Sequence, residues 1–84
     1  MTRIDVLLGD LKEKPRNLRY QGYVRIIETF GGKISSSGGS HRAAKFPSGQ
    51  RITFVEPHGG SRYMKPLDIK KLLMALYEMG VIEL

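Results

Sequence analysis

Apolar side chains recur at helical spacing along the first third of the chain. Ile4, Leu7, Leu8 and Leu11 fall on one helical face. Thr2 and Asp5 precede and enter this run in the pattern of an N-terminal cap with an acid three positions on. A short first helix is therefore expected, weakened by Gly9 and ended by Pro15. Residues 12–18, Lys-Glu-Lys-Pro-Arg-Asn-Leu, read as a basic connector. Tyr20, Tyr23, Val24, Ile27 and Phe30 then form a second stripe, closed by Gly31-Gly32, a pair able to take the left-handed conformation that stops a helix.

Between Lys33 and Pro57 the helical period disappears. Gly38-Gly39 and Phe46-Pro47-Ser48-Gly49 punctuate three extended candidates near 33–37, 40–46 and 50–56. Proline at the second turn position presets φ and glycine is favoured at the fourth, so the last two strands should form a hairpin. His58-Gly59-Gly60-Ser61-Arg62 reads as a flexible loop. Pro66 then opens a last helix with Ile69, Leu72, Leu73 and Leu76 on its apolar face, stopping at Gly80. The order helix, helix, three strands, helix predicts an α+β fold, with a three-stranded antiparallel sheet covered by helices on one face and open on the other.

Length and composition narrow the class. A chain of 84 residues is expected to form one domain with one core, and 40% hydrophobic against 26% charged residues suits a soluble globule. Without cysteine there is no disulfide framework and no thiolate chemistry. The longest strongly apolar stretch, Leu72 to Tyr77, is far short of the roughly 20 residues of a membrane helix. No apolar leader follows the start, so secretion is not expected, and without cysteine a reducing compartment, by default the cytoplasm, is the expected location. The formal net charge is +6. Residues 33–71 hold eight Lys and Arg against two acids, and residues 72–84 hold two acids and no base. The excess belongs to the predicted sheet and the start of the last helix, which favours a polyanionic partner.

Candidate chemistry is sparse. Two histidines seventeen positions apart, with no cysteine and no helical pairing, give no basis for a metal site, and no cofactor motif is present. What stands out is Gly38-Gly39-Ser40-His41-Arg42-Ala43-Ala44-Lys45, an imidazole at the start of a strand with bases nearby. Histidine exchanges a proton near neutral pH, and Arg42, Lys45 or Lys65 would balance charge on a phosphate. RNA cleavage without a metal needs such groups: a base for the ribose 2′-hydroxyl, a stabiliser for the extra negative charge and a proton for the departing 5′ oxygen. Spacing alone leaves His41 as either a proton-transfer group or a hydrogen-bonded packing residue. Lys65, Lys70 and Lys71, around the start of the last helix, are phosphate candidates or a solvated face. Tyr20, Tyr23 and Phe30 sit at core spacing, and His58 has weaker support as a substrate contact.

These elements resemble the HicA family of toxin components from bacteria and archaea. The resemblance covers about residues 19–82. It rests on Phe30-Gly31 ending a helix, Gly39-Ser40-His41 opening a strand, the Pro47 and Gly49 hairpin turn, the Arg51-Ile52-Thr53-Phe54-Val55 strand, Pro57-His58, and Lys65-Pro66 before the final helix. It implies an α-β-β-β-α core like that of a double-stranded RNA-binding domain over residues 19–84, with residues 1–18 as an N-terminal helical extension of one domain. It further implies a messenger-RNA endoribonuclease with His41, and no other residue, in the catalytic role; with that role in place, the chemistry of the neighbouring residues leads us to expect RNA contacts at Gly39, Ser40, Arg42, Lys45, Lys65 and Lys70. No cofactor or metal is implied. The implied partner is a HicB antitoxin, through which alone DNA would be engaged. The family usually places an aromatic three residues after the histidine; here that position is Ala44, and Phe46 follows two later. A non-catalytic RNA-binding module of the same fold is the alternative, and an interaction protein using the open sheet face for another protein is a second.

Overall fold

In the computed structural model, which describes residues 3–13, 18–57 and 62–83, the three apolar stripes fold as helices. They are α1 (Arg3–Glu13), α2 (Tyr20–Thr29) and α3 (Pro66–Glu78). Strands β1 (Lys33–Gly38), β2 (His41–Lys45) and β3 (Arg51–Val55) pair antiparallel in the order β1-β2-β3. The α+β architecture expected from the sequence is the one observed. Thr2, residues 14–17 of the connector and residues 58–61 of the glycine loop, His58 included, lie outside the described residues.

The hairpin forms as its turn chemistry requires. Gly49 N–H donates to Phe46 O at 2.9 Å, and Phe46 N–H donates to Gln50 O at 2.9 Å. This sets Ala44 opposite Ile52 and Arg42 opposite Phe54, with His41 opposite Val55 and Lys45 opposite Arg51. Successive strand residues face opposite sides, so one register assigns both faces. Ala44, Ile52 and Phe54 turn into the core, while Lys45, Arg51 and Thr53 are exposed on the other side.

The helices bury their stripes on the first of these faces. Tyr23, Ile26 and Ile27 of α2 and Ile69, Leu72 and Leu76 of α3 share one cluster with the sheet's apolar side chains, and Leu11 of α1 joins it fully buried. The rings of Tyr23 and Phe54 meet at 4.8 Å between centroids, tilted by 58°, a geometry that adds about 0.5–1.5 kcal/mol to area burial. Val24 departs from expectation. The buried face of α2 centres on Tyr23, Ile26 and Ile27, leaving Val24 on the flank, where it lines a shallow groove with Tyr20, Gln21 and Glu28. The helix stops as expected, with Gly31 at φ 82° and Gly32 N–H returning to Ile27 O at 2.9 Å.

Asp68, in the first turn of α3, joins three elements. Its buried backbone carbonyl accepts the Tyr23 hydroxyl at 2.7 Å, and its carboxylate accepts Val55 N–H at 3.1 Å. Lys71 lies 3.8 Å from the same carboxylate and donates to Thr53 O at 3.2 Å. Outward-facing backbone groups of β3 are thereby satisfied by α3 side chains, which blunts that edge against strand addition. Just ahead of the same two helices, Met64 N–H donates to Leu18 O at 2.8 Å, and Arg19 pairs with Tyr63 and lies 5.8 Å over its ring. The approach to α2 is thus tied to the approach to α3.

Burial raises the pKa of the Tyr23 hydroxyl, and the charge of Asp68 adds to the effect. The unfolded chain releases this proton as pH passes about 10 while the folded chain keeps it, so the stabilisation is complete below that pH and is lost as pH rises above it. Tyr23→Phe should cost roughly 1 kcal/mol at neutral pH and should flatten the decline in stability above pH 10. Denaturant titrations of both chains at pH 7 to 11 measure the two effects.

Candidate active site

The β1–β2 connection is built by glycine. Gly38 has φ 116° and Gly39 φ 56°, conformations costly for a side-chain-bearing residue. A Cβ on either would meet nothing within 4 Å, so their requirement is conformational. The pairing shifts between Ser36 and Gly38, and Gly38 then faces His41. His41 is consequently the first residue of β2, exposed, with Gly38 on one side and Val55 on the other. The tie from Val55 N–H to Asp68 brings the start of α3 to this end of the sheet.

Arg42 holds the turn. Its Nη1 donates to Gly39 O at 2.7 Å, His41 O at 3.1 Å and Ser36 Oγ at 3.3 Å, and its Nη2 reaches Glu56 Oε1 at 3.1 Å. Glu56 N–H in turn donates to Ser40 O at 2.9 Å. The carbonyls of residues 39, 40 and 41 are all engaged, which fixes the backbone that carries the imidazole. Tyr20 lies against this pair; burial first, then the charge of Glu56, raises its pKa. Its place directly after His41 in sequence makes Arg42 a phosphate candidate. In the strand that adjacency puts it on the opposite face, where its guanidinium binds the turn and Glu56.

The remaining candidates divide between two places. Gly39, Ser40 and His41 form the turn itself. Lys45 lies on the His41 face at the far end of β2, where it pairs across the sheet with Lys33 and Arg51, neither singled out from sequence. Lys65, exposed, immediately precedes α3, and Lys70 borders a groove of roughly 490 Å³ between β3 and α3 with Arg51, Leu67 and Met74. Lys71 is occupied by Thr53 and Asp68. The face shared with His41 consists of Lys33, Ser35, Ala43, Lys45, Arg51, Thr53 and Val55, with no acid among them. Arg51 was legible from the hairpin, which sets it opposite Lys45; Glu56 as the anchor of Arg42 had no sequence signal.

Ala44, the departure from the HicA pattern, is fully buried between Ile34 and Ile52 on the core side. Phe46 is buried in the same cluster. Among the described residues no group of three or more His, Cys, Asp or Glu side chains is placed to share a metal ion, and no helix is long and apolar enough to cross a membrane. Compared with protein-family models, curated proteins and solved structures, the chain matches none.

The turn depends on a planar, multiply donating group at position 42, so Arg42→Lys should not replace it. Arg42→Ala should cost roughly 1–2 kcal/mol, given the solvent access of the ion pair. Backbone amides of the 39–41 turn should exchange faster in both variants while those of Ile52 and Phe54 keep their protection. Hydrogen exchange followed residue by residue measures this.

Proposed function

We propose that this chain is a HicA-like endoribonuclease toxin, acting in the cytoplasm on messenger RNA and neutralised by a HicB-type antitoxin. The observation that carries the reading is one exposed imidazole, His41, on an acid-free cationic sheet face and seated on a turn whose three carbonyls are fixed. Gly38 and Gly39 add no side chain to the turn, and a Cβ on either would meet nothing within 4 Å. Ala44 does not weaken the reading, because its position belongs to the core side of β2 and an aromatic there would not face the substrate.

The chemistry proposed is metal-independent transfer within the RNA. A base removes the ribose 2′-hydroxyl proton, the 2′ oxygen bonds to the adjacent phosphorus, and the bond from phosphorus to the 5′ oxygen breaks as that oxygen receives a proton. The products are a 2′,3′-cyclic phosphate and a free 5′-hydroxyl. His41 serves one of these proton transfers, as base in its neutral form or as acid in its protonated form, and water serves the other. Lys65, exposed just ahead of α3, is the candidate to balance the charge gathering on the phosphoryl oxygens. Gly39 and Ser40 frame the imidazole, Lys45 and Lys70 hold the flanking backbone, and Arg42 acts on RNA only through the turn it fixes. The HicB-type partner would cover this same face, and DNA would be reached only through that partner.

A folded chain incubated with messenger RNA in excess EDTA near neutral pH should cleave it, leaving cyclic phosphate ends. His41→Ala should abolish cleavage, lowering the rate by at least about 10²-fold, with little change in melting temperature because the side chain is exposed. Equal RNA binding by both chains with no cleavage by either would instead favour the non-catalytic RNA-binding module.

A further inference from the structure

The strongest charge feature away from the His41 turn is the rung at the far end of the sheet. Lys33 faces Lys45 across β1 and β2, and Lys45 faces Arg51 across β2 and β3. All three are exposed and belong to the His41 face. Directly opposed strand residues have Cβ atoms about 4.5–5.5 Å apart, where like charges destabilise the pairing. Among the described residues, the ion pairs Arg42 with Glu56 and Lys71 with Asp68 include none of the three. The next rung inward, Ser35, Ala43 and Thr53, is small and neutral. The adjacent turns leave a hollow of roughly 590 Å³ lined by Gly31, Lys33, Lys45, Phe46, Pro47 and Gly49.

We infer that Lys33, Lys45 and Arg51 form a backbone-phosphate subsite that grips the RNA strand away from the cleavage point. This deepens the ribonuclease reading and rests on it for the identity of the polyanion. A phosphodiester chain supplies negative charge that none of the facing strand residues carries, Glu78 of α3 standing only beside Arg51 at the β3 edge, and phosphate contacts set the register of a strand without reading its bases. From His41 to Lys45 is four residues of β2, about 13 Å at the strand rise. That distance spans about four stacked nucleotides at 3.4 Å each, and fewer if the RNA is extended. Cleavage therefore requires RNA continuing past the scissile bond by roughly that length on one side.

The test measures binding of a single-stranded RNA of about 12 nucleotides, within the span of common single-strand sites, over a range of salt concentrations. Every chain also carries His41→Ala so that the RNA stays intact. Lys45→Gln with Arg51→Gln is compared with Lys12→Gln plus Arg25→Gln, which removes the same charge from exposed positions on α1 and α2. The rung variant should bind on the order of tenfold more weakly near 0.1 M salt and lose about 1.4 from the slope of log affinity against log salt, the loss expected for two single-strand contacts. Its melting temperature should be unchanged or higher, since repulsion has been removed. The control should stay within about threefold of the parent. Equal slopes for rung variant and control would overturn the subsite while leaving the ribonuclease reading in place. A parent that binds no RNA would overturn the ribonuclease reading and the subsite together.

Discussion

The hydrogen bond from the buried Tyr23 hydroxyl to the Asp68 carbonyl, at 2.7 Å, is the point on which the layers of this fold converge. It fixes the middle of α2 against the first turn of α3. The carboxylate of the same Asp68 then takes the outward N–H of Val55, so the position of α3 is transmitted to the edge of the sheet. A buried carboxylate is costly unless it is paired and hydrogen-bonded, and here Val55 and Lys71 supply both. Val55 is the cross-strand neighbour of His41. The contact that closes the core therefore also decides which helix end stands beside the proposed catalytic residue.

Strand alternation does the rest. With Ala44, Ile52 and Phe54 committed to the core, the residues between them have no choice of face. His41, Lys45 and Arg51 go to the uncovered side, and Arg42 goes to the covered one. The two neighbours in sequence thus do different jobs: one is presented to solvent, the other fixes the turn that presents it. On the open side the facing strand residues present cations and no acid, Glu78 of α3 standing only at the β3 edge beside Arg51, and an imidazole sits there on a restrained backbone.

Much of this was legible from residue pattern alone. The stripes of α2 and α3, Gly31 as a helix stop, and the Pro47 and Gly49 turn each follow from local chemistry, and the hairpin register then sets Lys45 opposite Arg51. Where tertiary packing decides, the pattern was insufficient. Val24 and Ile26 are equally apolar, and only the docking of α2 on the sheet selects Ile26 for the core. The irregular pairing at Ser36 and Gly38 hides the alignment of Lys33 with Lys45, because it breaks the alternation by which one strand predicts its neighbour. Adjacency to His41 points Arg42 at phosphate; Glu56, its partner fourteen residues away, belongs to a segment with no marked pattern.

On the proposed function, one side of the sheet receives RNA at the His41 turn. The most direct test is to follow the backbone amides of the isotopically labelled His41→Ala chain by nuclear magnetic resonance while intact single-stranded RNA is added. Shifts should concentrate at the 38–41 turn, along residues 41–45 and 51–55, and at the start of α3, leaving α1 and the exposed side of α2 unmoved. Shifts centred on α1 and α2, with the turn and the two strands unchanged, would contradict that function.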